Sequence, residues 1–163
     1  MPRPPNAPVR VLFVCTGNIC RSPMAEAVLR HMAEAEGVAV EVDSAGTSRY
    51  HLGEPPHPGT LRVLAERGIR LSRRARAVRP EDLADFDLVV ALDRSHRAAL
   101  RAIAPPGTES KIRLLSDFGP PATPVDIPDP YYDGSHAQVY PYIEACCRGL
   151  LRHLARQTAR PQD

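Results

Sequence analysis

Apolar positions along the chain fall into two alternating rhythms. Arg10-Val11-Leu12-Phe13-Val14 is a short apolar run rich in strand formers, which predicts a buried strand. Met24, Ala27, Val28, His31, Met32 and Ala35 then recur at helical spacing. Ser22 and Pro23 suit the N-cap and first helical position, and Gly37 stops the run. A second strand is expected over 38–42, ending at Asp43-Ser44-Ala45-Gly46. Residues 47–58 carry Gly53, Pro55, Pro56 and Pro58 and predict a loop. Leu61, Val63, Leu64 and Ala65 fit a short helix closed by Gly68. A third strand is expected over 86–92, after which Asp93 caps a helix from Arg94 to Ile103 that Pro105 ends. Residues 111–115 predict a fourth strand, 116–134 a long Pro/Gly loop, and 135–155 a last helix. Strands alternating with helices predict one α/β domain over 1–163, a three-layer αβα sandwich with a four-stranded parallel sheet and helices on both faces. Residues 1–8 are expected as a flexible tail and 157–163 as a frayed end. In such sheets ligands gather at the carboxyl ends of the strands, so the loop after the first strand is the place to search.

Composition narrows the function classes. With 21 Lys and Arg against 19 Asp and Glu, the net charge is +2, which supports neither a nucleic-acid footprint nor a polybasic membrane anchor. No apolar run approaches the roughly 20 residues of a membrane helix. Met1 to Pro8 is proline-rich and lacks the apolar stretch of a secretory signal. Four cysteines are too few for a disulfide scaffold, and their spacing fits no zinc template. A reducing, cytoplasmic setting is therefore expected, with no cofactor and no metal.

The loop Cys15-Thr16-Gly17-Asn18-Ile19-Cys20-Arg21-Ser22 has a physical logic. Its backbone wraps from a strand end toward a helix N-terminus, where N–H groups and the positive end of the helix dipole favour an anion. Gly17 and Asn18 tolerate backbone angles closed to most residues. Arg21 can grip two oxygens of a phosphate. A helix N-terminus beside a cation favours the thiolate form of a cysteine, which would make Cys15 a nucleophile. Ser22 can donate a hydrogen bond to that sulfur. No Gly-Lys-Ser/Thr follows, so this is not a nucleotide-binding P-loop. A lone buried Cys with a surface Arg is the plain alternative, and it suits this strand-loop-helix pattern poorly.

Val14-Cys15-Thr16-Gly17-Asn18-Ile19-Cys20-Arg21-Ser22-Pro23 closely resembles the phosphate-binding loop of the low-molecular-weight protein tyrosine phosphatases. The likeness continues through Ser44-Ala45-Gly46-Thr47, Asp93-Arg94-Ser95 and Asp129-Pro130-Tyr131-Tyr132-Asp133-Gly134, and covers about residues 9 to 156. It implies a metal-free phosphatase that hydrolyses phosphotyrosine in proteins through a cysteinyl phosphate. Cys15 would be the nucleophile, Arg21 the phosphate clamp and Asp129 the general acid and base. Residues Thr16, Gly17, Asn18, Ile19, Cys20, Arg21 and Ser22 would hold the phosphate. Its partners would be phosphotyrosine proteins, such as a bacterial tyrosine kinase or its targets, and the chain is expected to act as a monomer.

General acid catalysis is worth about 10²–10⁴ in rate, and a proline-bounded Asp129 suits it. Taken alone, an Asp before Pro is a turn former, and Asp126 and Asp133 are rivals in the same loop. Ile19, Tyr50, Tyr131 and Tyr132 form the expected apolar rim for a phenyl ring. Arginine-specific relatives carry Thr where Ile19 stands and lack the aromatic at Tyr132, whereas arsenate reductases need cysteines that residues 86–104 do not hold. Cys20 is either a redox partner of Cys15, as the resemblance implies, or a packing residue. Cys146 and Cys147 are read as core. Ser44 is expected to support the loop from the second strand. A family histidine that braces the loop asparagine is replaced by Arg73. Arg148, Arg152, Arg156 and Arg160 recur every fourth residue and are read as a solvated helix face. A phosphate-binding or redox-sensing module without catalysis is the competing class.

Overall fold

The computed structural model describes residues 7–158. Four strands, β1 (Val9–Cys15), β2 (Val40–Gly46), β3 (Leu88–Ala91) and β4 (Ile112–Leu114), pair in parallel in the order β2-β1-β3-β4. The helices are α1 (Arg21–Glu36), α2 (Pro58–Ala65), α3 (Pro80–Asp85), α4 (Arg94–Ile103) and α5 (His136–Thr158). Alternation along β1 separates two cores. Val11, Phe13 and Cys15 face α1, α2 and α5, while Leu12 and Val14 face α3 and α4. A strand covered on both faces needs a continuous apolar run, which is what residues 11–14 supply. The chain turns from β1 to β2 on one side and later crosses to β3 on the other, so the carboxyl end of β1 lies at the switch point of the sheet.

Several local expectations change. Helix α1 begins at Arg21 with Cys20 as its N-cap, so Ser22 is not the cap. Its hydroxyl is turned to Cys15 and Asn18 instead. Gly37 closes α1 in the left-handed region at φ 70°. Strand β2 starts two residues later than expected and runs through Ser44 to Gly46, because the whole segment from Val40 to Gly46 pairs with Val9 to Cys15. Helix α3 has no counterpart in the sequence reading. Its six residues hold too few apolar positions to show a period, and Pro80 with the Asp82 carboxylate on the Arg79 N–H is its only signal. A 3-10 turn over Leu115–Phe118 opens the long loop after β4. Helix α5 continues to Thr158, past the expected start of fraying at 157. Residues 1–6 of the expected tail, and 159–163 with Arg160, lie outside the described residues. Among the described residues, no helix is long and apolar enough to cross a membrane.

Candidate active site

Three carbonyls of the loop from Cys15 to Arg21 bond to neighbouring segments. The N–H groups of Thr47 and Ser48 donate to the Cys15 and Thr16 carbonyls at 2.9 Å each, and His57 N–H donates to the Ile19 carbonyl at 2.8 Å. In a trans peptide the next N–H points the opposite way, and no peptide among the described residues is cis. The amides of Thr16, Gly17 and Cys20 therefore point away from those partners, toward the inside of the loop. This is the arrangement that binds an oxyanion. Asn18, not Gly17, takes the left-handed backbone, at φ 57°. Gly17 is needed for room: a Cβ there would lie 2.8 Å from Cδ2 of His51.

Arg21 is buried, with a guanidinium held from two sides. Its Nη1 donates to Asp93 Oδ2 and to the Ile127 carbonyl, both at 2.9 Å. Its Nη2 stands 3.5 Å from Asp129 Oδ2. Burial alone would raise the Asp93 carboxyl, yet hydrogen bonds from Ser95 and Arg21 bring it down to about 2, so a full negative charge faces the arginine. His96 completes this corner. Its Nδ1 accepts from the Asp93 N–H, which leaves the proton on Nε2 to donate to Thr16 Oγ1 at 2.8 Å. Burial, then the Arg21 charge, push His96 down to about 4, so the neutral ring is the working form.

Behind the loop runs a chain of polar side chains. Asn18 Nδ2 donates to Ser22 Oγ at 3.0 Å and to Ser44 Oγ at 2.9 Å. With its lone pair so used, Ser22 can direct its own proton to Cys15 Sγ, 2.9 Å away. Ser44 donates to Glu26 Oε1 at 2.6 Å. Arg73 closes the circuit. It bonds Glu26 and Asp43 through Nη1, and through Nη2 bonds Asn18 Oδ1 and the Ser44 carbonyl at 2.9 Å each. Asn18 Oδ1 also accepts the Arg76 N–H at 3.0 Å. Arg73 thus braces the asparagine and at the same time neutralises the buried Glu26.

The open side of the loop is a cleft of about 420 Å³ lined by Cys15, Arg21, Asp129 and the rings of Tyr50, His51, Tyr131 and Tyr132 among others. Cys15 is only 3% exposed, yet it forms part of this lining. Tyr131 meets Tyr132 edge to face at 4.9 Å and His51 at 5.3 Å, while Tyr50 meets His51 at 4.7 Å. Asp129 is a third exposed and its Oδ1 accepts the Tyr131 N–H at 3.0 Å, which fixes the carboxyl at the mouth.

Comparison with known sequences and structures places the whole chain. The family described as low molecular weight phosphotyrosine protein phosphatase matches residues 10–160. The chain belongs to this family. It is 41% identical over 152 residues to the low molecular weight protein-tyrosine-phosphatase YfkJ of Bacillus subtilis, covering 91% of this chain and 97% of that one. The crystal structure of YfkJ superposes with a TM-score of 0.89 at 40% identity, over 93% of this chain and 98% of that one. A Streptomyces coelicolor relative described as a low molecular weight protein-tyrosine-phosphatase is 46% identical over 155 residues, covering 91% of this chain and 94% of that one. A Drosophila structure described as an arginine phosphatase has a TM-score of 0.83 at 33% identity, over 88% of this chain and 96% of that one.

Within this phosphatase fold, Cys15, Thr16, Gly17, Ile19, Cys20, Arg21, Tyr50, Asp129, Tyr131 and Tyr132 share one cleft. Asn18 and Ser22 stand behind the loop, not in the lining. The rivals of Asp129 are engaged elsewhere. Asp126 is bound by the Arg94 N–H and guanidinium, and Asp133 accepts the Ser135 N–H. Cys146 and Cys147 are core residues, fully buried. Cys20 is a free thiol that burial pushes up to about 12. Arg148, Arg152 and Arg156 are exposed, as a solvated face requires. His51, His96 and Glu26 escaped the sequence reading. A histidine in a proline-rich loop, one on a helix and an acid on another carry no local mark of a site.

Proposed function

We propose that this chain hydrolyses phosphotyrosine monoesters in proteins, and small aryl phosphates, through a phosphocysteine intermediate. Cys15 Sγ attacks phosphorus in line, and the S–P bond forms as the P–O bond to the phenol breaks. Arg21 and the inward amides hold the three equatorial oxygens as charge spreads over them. Asp129 gives its proton to the departing phenol oxygen. As a carboxylate it then takes a proton from water, which attacks phosphorus and releases inorganic phosphate and the Cys15 thiolate. Ser22 eases that departure by donating to the sulfur. The residues supply nucleophile, cation and acid, so no step calls for a cofactor or a metal.

The observation that carries this reading is the meeting of Cys15, Arg21 and Asp129 on one cleft, with the acid 3.5 Å from the clamp. An aromatic rim of three tyrosines around Ile19 supports an aryl substrate. The physiological substrate is then a phosphotyrosine protein, with a bacterial tyrosine kinase or its targets as the counterpart. The four free cysteines support a reducing cytoplasmic setting, and the chain acts there as a single monomeric phosphatase domain.

The test is a panel of aryl phosphates, a phosphotyrosyl peptide and phosphoarginine, assayed in excess chelator. Phosphotyrosine turnover is expected, with a phosphoenzyme trapped by acid quench. Asp129→Ala should lose about 10²–10⁴ in kcat on poor leaving groups and far less on good ones. Full activity in Cys15→Ser, or faster turnover of phosphoarginine, would overturn the proposal.

A further inference from the structure

Three side chains with metal-binding chemistry, brought from three separate elements, meet at the end of the phosphate loop. They are Cys20 at the N-cap of α1, His57 at the N-cap of α2 and His136 at the start of α5. One donor atom from each lies within 4.8 Å of the other two. Cys20 Sγ and His136 Nε2 are 3.4 Å apart. Tetrahedral zinc, with Zn–S of about 2.3 Å and Zn–N of about 2.0 Å, requires a sulfur-to-nitrogen separation of about 3.5 Å. That pair already has the spacing of two ligands on one ion.

The surroundings fit a site more closely than they fit packing alone. His136 is only 3% exposed, so its ring is held inside the protein beside the Cys20 sulfur. Gly59 leaves the ring its seat, since a Cβ there would lie 2.4 Å from His136 Nδ1. The His57 ring lies 4.5 Å from that of His136 and also borders a second cleft with Glu54, Pro58 and Tyr131. A hydrogen bond explains the Cys20–His136 pair, but it does not call for a second imidazole within reach.

We propose that Cys20, His57 and His136 bind one divalent transition-metal ion of the zinc class, with water as the fourth ligand. One thiolate and two imidazoles select such an ion over magnesium or calcium, which prefer oxygen. Sequence spacing hides the set because its members lie on three elements, so the zinc templates read along the chain miss it. The site does not depend on the phosphatase reaction. On binding, the Cys20 proton passes to solvent as the sulfur–metal bond forms. His57 Nδ1 accepts the Gly59 N–H at 2.9 Å in the metal-free protein. Ligation through Nδ1 displaces that bond. Ligation through Nε2 moves the ring proton to Nδ1 and has the same effect. Metal binding therefore exchanges the cap of α2 for a link between α1 and α5.

Cobalt(II) titration tests the site, in Cys15→Ser so that the nucleophile cannot be the ligand. One equivalent should produce a thiolate-to-cobalt charge-transfer band with tetrahedral d–d bands, and zinc should bleach both. His57→Asn keeps a side-chain acceptor for the cap, and His136→Asn removes the other imidazole. Each should weaken binding by about tenfold or more, with circular dichroism and the unfolding temperature reporting that the fold is kept. Adding Cys20→Ser should abolish the charge-transfer band, which keeps the test decisive if a histidine variant unfolds. Absence of the band in Cys15→Ser, its survival in the variant that also lacks Cys20, or unaltered affinity in folded histidine variants would overturn the proposal.

Discussion

Replacing Arg73 with Met removes the cation that joins Glu26, Asp43 and Asn18. Glu26 is only 3% exposed, and its Oε1 loses Arg73 while keeping the Ser44 hydroxyl at 2.6 Å. Its Oε2 keeps Arg30, also at 2.6 Å, although that arginine is partly in solvent. Breaking a fully buried pair costs about 3–5 kcal/mol. The surviving Arg30 contact reduces this, and the half-exposed Asp43 adds less than about 1 kcal/mol. A loss of about 2–3 kcal/mol is therefore expected. At roughly 2–4 °C per kcal/mol for a domain of this size, the unfolding temperature should fall by roughly 4–12 °C. Asn18 Oδ1 retains the Arg76 N–H, so kcat should fall less than in a variant that removes the asparagine side chain. Urea and thermal unfolding measure the first effect and aryl phosphate turnover the second. The decisive control is Arg73→Met with Glu26→Gln. If the penalty is a stranded buried charge, the double variant regains more than half of it. A loss below about 1 kcal/mol in the single variant, or simple additivity in the double, would refute the reasoning.

Two further outcomes follow from the polar groups around the loop. His96 sits at about 4 in the folded chain against an ordinary 6.5, so between these the unfolded chain takes up more protons and folding weakens as pH falls. The difference of about 2.5 corresponds to about 3 kcal/mol lost between pH 7 and pH 4, and urea midpoints should show it in the wild type and show less of it in His96→Gln. A flat wild-type profile over that range would contradict the buried neutral ring. Asn18 holds φ 57° and bonds Ser22 and Ser44, so Asn18→Gly relieves the backbone and Asn18→Ala does not. Both should lose turnover, but the glycine variant should be the more stable by about 1 kcal/mol, and equal unfolding midpoints would rule out a strained backbone.

The parts of this molecule that were legible in its sequence are those written in adjacent residues. Residues 11–14 announce a strand buried on both faces, and Asp93 before an amphipathic stretch places α4 to the residue. Cys15 and Arg21 are legible because one short loop carries both, whereas Asp129, a plain turn former when taken alone, stands out from Asp126 and Asp133 only through the resemblance. Ser22 has the local preference of a helix cap, but the sulfur and Asn18 claim its hydroxyl. The resemblance points to Arg73 as the brace of Asn18, whereas its partners Glu26 and Asp43 carry no local mark. They come from α1 and β2 and acquire their role only when the sheet brings them together. The room that Gly17 leaves for His51 is a fact of packing, with no trace in either segment alone.

The backbone bonds from Thr47, Ser48 and His57 to the carbonyls of Cys15, Thr16 and Ile19 have a consequence for anyone redesigning specificity. The segment that carries Tyr50 and His51 also sets the orientation of the peptide units proposed to hold the anion. A chimera that imports this segment from a relative would therefore import a new anion cradle with it. Exchanging rim side chains one at a time, on the native segment, is the conservative route to a new preference.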